Sequence, residues 1–351
     1  MVALLVMLAA GSLMMNLHER HLRRQRGRLL QDIGLLQAAL LPDVPAQVGA
    51  LHASIAYRPA AGPAAGGDFY DVFELEDGRV GVVIGDVVGH GRDALAHTAL
   101  LRYTLRAYLE TGLEPRQVLR IAGQGLDRDI VAGFATTVVA TCDPQAGTLT
   151  YASAGHPAPI LVGPSAHQPV TACSSPPIGM GFETGLRQTT VSFTADSLAC
   201  FFTDGLVEAR LNGGLLGRER VAQIFGELGP EPSATELLDR ISRSAHSTPD
   251  DMAACIIRPR ANTPAGAPLR IEELELHEGG PRAERFLTAC GVSPTAARRA
   301  AANAHTMLAD HGDALLSVEI AGRAPVVRIS PATVATLDGS PLAREREALH
   351  V

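Results

Sequence analysis

The chain has 351 residues, more than a single domain usually needs, and its hydrophobic fraction of 46% is sufficient for a buried core. Aromatic residues make up only 4% and tryptophan is absent, so small aliphatic side chains must fill that core. The net charge of −7 argues against a protein that binds nucleic acid through its phosphates, and we expect no nucleic-acid partner.

The cysteines are scattered, and none of them forms a Cys-x-x-Cys pair. They are Cys142, Cys173, Cys200, Cys255 and Cys290. Neither a zinc site nor a disulfide framework is therefore indicated. A reducing compartment is the simplest interpretation of this cysteine usage.

The first 17 residues carry no charged side chain, and an arginine-rich stretch follows at 18–28. An apolar run of this length is at the lower limit for spanning a bilayer, and we predict a transmembrane helix at 1–17. The basic flank on its C-terminal side predicts a single-pass protein of the cell membrane whose remaining chain is cytoplasmic. The alternatives are a buried or amphipathic helix in a cytoplasmic protein, or the stub of a longer membrane domain.

Residues 18–47 are predicted to form a basic flank and a connecting helix. Apolar side chains recur at helical spacing between 29 and 40, and Pro42 and Pro45 end the pattern. An apolar stripe of this kind packs against a partner, and a homodimer held by this helix is one expectation.

Short runs rich in β-formers, separated by turn residues, indicate one domain at 48–260. Predicted strands lie at 50–57, 69–75, 79–88, 135–142, 147–153, 159–162, 188–193, 198–203 and 252–258. Predicted helices lie at 92–111, 115–131, 217–228 and 233–247. Because strands often follow one another without an intervening helix, the pattern favours an antiparallel α+β fold over a doubly wound parallel sheet.

A second, smaller unit is predicted after this domain. Proline, glycine and alanine mark a linker at 261–267. Residues 268–337 then show the pattern of strand, helix, helix, strand and strand, which predicts a small α/β domain. Residues 338–351 are predicted to form a tail.

Asp77-Gly78 is a strong signal for a hairpin turn between two of the predicted strands. If these two residues form the turn, Asp68 lies opposite Val87 and beside Asp86. Two carboxylates so close repel each other, and the pKa of one would rise unless a cation lay between them. Hard oxygen ligands of this kind suit Mg²⁺ or Mn²⁺.

Further aspartates stand at the ends of other predicted strands. Asp204, followed by glycine, ends an apolar strand, and Asp250 and Asp251 come just before another. Each position alone is a weak signal, because an Asp-Gly pair is usually only a turn. Strand-end aspartates at three separate places are together the arrangement that a two-metal centre needs.

Five motifs occur in this order and at suitable spacing: GGDFYDVF, GDVVGHG, GFATTVVATCDPQAGTLTYASAGHPAPILV, FFTDGLVEAR and DDMAACII. Over about 48–258 they resemble the metal-dependent protein phosphatase family (protein phosphatase 2C-like), in the bacterial branch typified by stage II sporulation protein E. The resemblance implies an antiparallel β-sandwich flanked by helices, with two Mn²⁺ or Mg²⁺ ions at one end. It also implies a protein-serine/threonine phosphatase, which hydrolyses phosphoserine or phosphothreonine with a metal-activated water.

The resemblance assigns roles residue by residue. Asp68 and Asp86 match metal ligands, with Asp86 expected to bridge the two ions. The backbone carbonyl of Val87 is expected to bind one ion. Asp204 and Asp250 match ligands of the other ion.

Other residues near these motifs are expected to support the ligands or the substrate. Asp71 and Asp251 are predicted to stand behind the metal ligands, with a solvated or capping carboxylate as the alternative. His90 is expected to shape its loop or to approach the phosphate. Arg58 could bind phosphate, with an ordinary surface arginine as the alternative. His156 is expected to be structural.

In this branch of the family the substrate is usually a phosphorylated anti-anti-sigma factor, so the resemblance implies a partner-switching pathway. Two other functions stay open on sequence grounds. One is a phosphatase of a small phosphoester, and the other is a signalling scaffold without activity.

The segment at 268–337 weakly resembles the histidine-kinase-like ATPase domains of anti-sigma factors. Such domains need a glutamate and an asparagine on the second helix, where this chain has Asn303 and Met307. The glycine-rich lid is missing as well. A degenerate domain that binds no ATP is therefore expected.

Overall fold

The computed structural model describes residues 41–59, 67–89, 92–126, 133–164, 166–168, 175–229, 231–260, 269–277, 281–321, 324–332 and 349–350. The predicted transmembrane helix, most of the connecting segment, the linker and most of the tail lie outside these residues, as does His90. Within the described ranges, no helix is both long and apolar enough to cross a membrane.

The described elements follow the predicted order. The strands are β1 (Gln47–Val48), β2 (Leu51–Arg58), β3 (Asp68–Glu74), β4 (Val80–Val87), β5 (Ala135–Asp143), β6 (Thr148–Ala154), β7 (Ile160–Val162), β8 (Arg187–Ser192), β9 (Leu198–Phe202), β10 (Arg210–Leu211), β11 (Gly214–Leu215), β12 (Met252–Pro259), β13 (Arg270–Leu276), β14 (Ala314–Glu319), β15 (Val326–Ser330) and β16 (Leu349–His350). The helices are α1 (Arg92–Glu110), α2 (Pro115–Leu126), α3 (Gly217–Gly226), α4 (Ala234–Ser244), α5 (Pro281–Ala289) and α6 (Pro294–His311). Every predicted strand in the larger domain is found to within one residue at either end.

The two ends of helix α4 have different causes: a local cap at its start and a tertiary contact just after its end. Ser233 caps its N-terminus, where its side chain accepts a hydrogen bond from Glu236 N. The helix ends at Ser244, three residues earlier than predicted. The chain beyond it is extended because Ser247 pairs with Arg210 in an isolated bridge.

The described strands form two large antiparallel sheets that pack face to face. Five strands lie in the order β1-β2-β12-β9-β7, and nine lie in the order β16-β15-β14-β13-β8-β6-β5-β4-β3. Apolar side chains from both sheets, such as Val82 and Phe201, fill the space between them. Helices α1 and α2 cover the outer face of the larger sheet, and α3 and α4 cover that of the smaller one. The predicted antiparallel sandwich flanked by helices is therefore confirmed.

The β3–β4 hairpin differs from its prediction by one residue in register. Leu75 N donates to Arg79 O (2.8 Å), Gly78 N donates to Leu75 O (2.9 Å), and Gly78 takes a left-handed φ of 81°. The loop thus has three residues and ends in a left-handed glycine, where a two-residue turn was expected. Asp68 consequently pairs directly with Asp86, and the prediction that it pairs with the next residue is wrong.

The C-terminal segment has the predicted order of strand, helix, helix, strand and strand. Its first strand, β13, pairs with β8 from Arg270 opposite Val191 to Leu274 opposite Arg187. The segment therefore extends the nine-stranded sheet of the sandwich. Helices α5 and α6 pack on one face of this extension.

An ion pair joins the other face of the extension to helix α2. The Glu275 carboxylate of β13 contacts the guanidinium groups of both Arg116 and Arg120. The side chains of Arg116 and Glu275 are each only 2% exposed, and that of Arg120 is 17% exposed. The C-terminal segment is thus held to the sandwich by backbone pairing and by buried charges of opposite sign.

Candidate metal centre

Five aspartates meet at one end of the sandwich because each stands at the end of a strand. Asp68 begins β3 and lies opposite Asp86 near the end of β4. Asp204 follows β9, and Asp250 and Asp251 precede its antiparallel neighbour β12. In an antiparallel pair, the end of one strand and the start of the other share an edge. The structure therefore brings the four predicted ligand side chains together, and Asp251 with them.

Two glycines permit this close approach. A Cβ on Gly67 would lie 2.0 Å from Asp86 Oδ1 and 2.6 Å from Val87 O, so both oxygens lie beside one backbone atom. A Cβ on Gly205 would lie 1.9 Å from the Asp251 carbonyl oxygen. Any side chain at either position would displace the strand ends. The convergence of a carboxylate and a carbonyl oxygen is what the predicted ligand role of Val87 requires.

Neutral hydrogen bonds hold the acids from the buried side. Thr203 Oγ1 donates to Asp68 Oδ2 (2.7 Å) and accepts from Ala253 N (2.9 Å). Tyr57 OH donates to Asp251 Oδ2 (2.8 Å). The bond from Thr203 occupies one oxygen of Asp68 and leaves Oδ1 as a potential metal ligand. Strands β2, β3 and β12 and the turn after β9 are thereby fixed to one another.

His156 links the two sheets next to the acids. Its Nε2 lies 3.0 Å from Phe202 O, and Nε2 carries the proton because a carbonyl can only accept. Nδ1 therefore accepts from Thr136 Oγ1 (2.9 Å), and Thr136 lies opposite Asp86 in the β4–β5 pair. Burial lowers the pKa of His156 to about 4, so the ring is neutral near pH 7. The structural role expected for His156 agrees with this placement.

Burial, and then repulsion between neighbouring acids, raises the pKa values of Asp68, Asp86 and Asp204. Burial and the charges of Asp204 and Asp250 raise the pKa of Asp86 to about 7. Burial, Glu208 and Asp250 raise the pKa of Asp204 to about 6. Burial and Asp86 raise the pKa of Asp68 well above its ordinary value, against the opposing effect of its hydrogen bond. For each of the three, the strongest influences after burial come from other acids.

A group of acids with these properties fits a divalent cation. Its donors are carboxylate and carbonyl oxygens, the hard ligands that Mg²⁺ and Mn²⁺ prefer. A cation would offset the repulsion that raises the pKa values. Among the described residues, no three metal-binding side chains surround a common point. The donor set fits the predicted Mn²⁺ or Mg²⁺ ions in both chemistry and charge.

Two of the predicted supporting residues lie elsewhere. Asp71 points to the helix side of β3, where its Oδ2 lies 3.4 Å from Arg106 Nη1 and 3.9 Å from Arg102 Nε. Side chains alternate along a strand, so Asp71 faces away from the acids at the strand end. Arg58 donates to Asp239 on helix α4 (2.5 Å). The structure thus does not bring either residue to the candidate centre, and both instead connect a strand to a helix.

Sequence reasoning missed the neutral residues that support the acids. Thr203 and Asp68 are 135 positions apart, and Tyr57 and Asp251 are 194 positions apart. An uncharged hydroxyl gives no signal across such separations. The one available clue was that Thr203 is a polar residue directly before a predicted ligand, at the end of an apolar strand.

Comparison with known sequences agrees with this geometry. The family described as Stage II sporulation protein E (SpoIIE) matches residues 76–260. Phosphoserine phosphatase RsbP of Bacillus subtilis (strain 168) is 26% identical over 147 residues, which cover 40% of this chain and 36% of RsbP. Phosphoserine phosphatase RsbU of the same organism is 24% identical over 163 residues, which cover 46% of this chain and 48% of RsbU. The chain thus matches less than half of the length of either relative.

Two solved structures show the same fold. The SiaA-PP2C domain of Pseudomonas aeruginosa aligns with a TM-score of 0.58 at 22% identity, covering 68% of this chain and 98% of that domain. The RsbU and RsbW domains of Rv1364c from Mycobacterium tuberculosis align with a TM-score of 0.52 at 23% identity, covering 82% of this chain and 85% of that one. At these identities the similarity establishes a protein phosphatase 2C-like architecture.

Proposed function

The chain belongs to the stage II sporulation protein E family, and from this premise we propose that it is a metal-dependent protein-serine/threonine phosphatase. The observation that carries the proposal is the group of acids at the strand ends, whose like charges repel one another at buried or partly buried positions. Burying like charges opposes folding, so a cation-dependent function explains their presence better than a structural role does. The names of the two Bacillus relatives support phosphoserine as the group hydrolysed.

The proposed metal ligands are the side chains of Asp68, Asp86, Asp204 and Asp250 and the carbonyl of Val87. When bound, two Mn²⁺ or Mg²⁺ ions would supply an activated water and positive charge for the phosphoryl oxygens. The protein's own contribution is to hold these oxygens at one edge. Thr203 orients the Asp68 carboxylate, Tyr57 holds the neighbouring Asp251, and the neutral ring of His156 bridges the two sheets beside them.

The described cysteines do not offer a competing nucleophile. Burial raises the pKa of the Cys255 and Cys290 thiols to about 12, and it raises those of Cys142 and Cys200 as well. A thiolate is the reactive form of cysteine, and these thiols stay protonated near neutral pH. Direct attack by a metal-activated water on phosphorus, without a phosphoenzyme, is the proposed route, as the family resemblance implies.

A phosphorylated anti-anti-sigma protein is the proposed substrate, as the family resemblance implies. One structural observation favours a macromolecular substrate over a small phosphoester. Asp250 is exposed and Asp204 is partly exposed, so the described residues on that side of the centre leave it open to a large partner. Enzymes for small ligands usually enclose most of the ligand surface.

The deciding experiment measures phosphate release from phosphorylated candidate anti-anti-sigma proteins of the same organism. We expect release with Mn²⁺, none with EDTA, and none from the variant Asp204→Asn. Asp77→Asn is the matched control, because Asp77 lies in the exposed β3–β4 loop and contacts only Arg79 in the described structure. Release in the presence of EDTA would contradict the proposal. Hydrolysis of p-nitrophenyl phosphate without any phosphoprotein activity would favour a small phosphoester.

We also propose that residues 1–17 anchor the chain in the cell membrane with the catalytic domain in the cytoplasm. Its support is the uncharged composition of this run and the arginine-rich flank that follows. Full-length protein should then stay with the membrane fraction during a high-salt wash. Release by salt would instead indicate electrostatic attraction through the basic flank.

The C-terminal segment is proposed to bind no ATP. Met307 is partly buried against the apolar core of α5 and α6, and its thioether is a poor ligand for Mg²⁺. Asn303 occupies the position where an ATPase of this type would need an acid. Calorimetry of the full-length protein with Mg-ATP should show no heat of binding. Micromolar binding would contradict the alignment on which this proposal rests.

A further inference from the structure

A short β-ribbon follows Asp204 in the chain. Its strands β10 and β11 have two residues each, and all four residues are exposed. Arg210 pairs with Leu215, and Leu211 pairs with Gly214. Leu215 is 58% exposed and Leu211 is 37% exposed. The ribbon therefore presents two large apolar side chains to solvent and buries neither.

The ribbon is attached to both segments that carry the outer acids. At its base Leu216 N donates to Ala209 O (2.8 Å), five residues after Asp204. On its open side Arg210 N donates to Ser247 O (2.9 Å), three residues before Asp250. A two-stranded ribbon is marginal in isolation, so these attachments fix its position relative to the segments that carry Asp204 and Asp250.

The two strands of the ribbon and the bridged residue Ser247 form an exposed row. Residues that lie directly opposite one another in antiparallel strands share a face, so Ser247, Arg210 and Leu215 lie side by side. All three are exposed. Leu211 projects from the opposite face because side chains alternate along a strand. The row thus offers a hydroxyl, a cation and an apolar side chain on one surface.

We propose that the row Ser247–Arg210–Leu215 is the docking surface for the protein segment that flanks the phosphorylated residue. An apolar side chain of that segment would pack on Leu215, and an acidic or second phosphorylated side chain would pair with Arg210. Two observations indicate this occupant. The chain connects the row directly to both outer acids, Asp204 and Asp250, and the positive charge of Arg210 is opposite to that of the centre. A small phosphoester would reach the acids without touching the row.

This inference rests on the proposed phosphatase function and deepens it by assigning how a protein substrate is chosen. It is tested with two phosphorylated probes on the full chain in Mn²⁺: phosphorylated β-casein, a phosphoserine protein, and p-nitrophenyl phosphate. The variants are Leu215→Ser on the row and Leu211→Ser on the opposite face of the same ribbon. Thermal unfolding of each variant checks that the fold is retained.

We expect Leu215→Ser to lower the ratio of kcat/KM for β-casein to kcat/KM for p-nitrophenyl phosphate about tenfold. The change should come from a higher KM for β-casein, because an apolar binding contact is lost. Leu211→Ser should leave the ratio unchanged. An unchanged ratio in Leu215→Ser, or an equal fall in both variants, would overturn the inference while the phosphatase proposal stands. Wild-type protein that hydrolyses neither probe would overturn the phosphatase proposal itself.

Discussion

The strand-end acids and the junction around Glu275 both bury charged side chains, but with opposite pairing. At the strand ends, acids face acids, and the pKa values of Asp68, Asp86 and Asp204 rise. At the junction, one carboxylate lies between Arg116 and a second arginine. Opposite charges compensate each other within the protein, whereas like charges leave a net charge that a bound cation would offset. The sign of the charge on the neighbouring side chains therefore distinguishes a candidate functional site from a structural junction.

Asp71 illustrates the same distinction within one strand. It is buried, as Asp68 is, and it belongs to the same motif. Its neighbours, however, are Arg102 and Arg106 of helix α1. Asp71 thus resembles Glu275 at the junction, because both carboxylates face arginines, although its motif predicted a place behind the metal ligands.

The largest effect is expected at the junction. Glu275→Leu would leave the buried guanidinium of Arg116 without its main partner, which typically costs about 3–5 kcal/mol in the free energy of unfolding. Urea unfolding of the full chain measures the change. Glu236→Leu is the matched control, because the Glu236–Arg240 pair is exposed and should be worth less than about 0.5 kcal/mol. Equal losses in the two variants would show that burial of the Glu275 ion pair adds nothing to stability beyond an exposed pair.

Removing the charge of one of the strand-end acids should lower activity without destabilising the fold. Asp86→Asn is expected to lower Mn²⁺-dependent hydrolysis of p-nitrophenyl phosphate about 10²–10³-fold, the size typical of losing one charge-stabilising group. Because the variant relieves repulsion, its metal-free form should melt no lower than metal-free wild type. Calorimetric melting with EDTA tests this second part. A large fall in melting temperature would mean that Asp86 has a structural partner.

Removing the neutral support of Asp68 should have an intermediate effect. Thr203→Val leaves both Asp68 Oδ2 and Ala253 N without the bonds they make to the hydroxyl, which costs about 1–3 kcal/mol in stability. The apparent affinity for Mn²⁺, measured by titration calorimetry, should weaken as well. Thr203→Ser keeps the hydroxyl and should behave almost as wild type. Identical behaviour of the Val and Ser variants would show that the hydroxyl does not orient Asp68.

The smallest effect is a pH dependence of the metal-free protein. The pKa values of Asp86 and Asp204 are raised to about 7 and about 6, above their unfolded values of about 3.9. The folded state therefore binds more protons than the unfolded chain between about pH 4 and about pH 7, and stability falls as pH rises through that window. Melting temperatures in EDTA should decrease by a few degrees, and Asp86→Asn should flatten the slope. Saturating Mn²⁺ should abolish the trend, and a slope that persists unchanged would assign it to other groups.

Much of the candidate site could be predicted because its signals are local. Asp204 ends an apolar run, Asp250 precedes another, and the motifs around Asp68 and Asp86 are contiguous. Period-two patterns and turn residues located every predicted strand of the larger domain to within one residue, but they did not predict the two-residue strands β10 and β11. Phosphoprotein specificity, metal number and membrane attachment stay predictions.

The sequence by itself determined which acids stand at the ends of which strands, because alternation and turn chemistry are properties of neighbouring residues. Only the tertiary structure decided what those acids meet. The left-handed Gly78 set a three-residue loop and so placed Asp68 directly against Asp86. Thr203 reached Asp68 across 135 positions, and β13 joined the sandwich through β8. Such contacts depend on how distant strands come together. No local sequence pattern predicts the partner of an uncharged hydroxyl or of an edge strand.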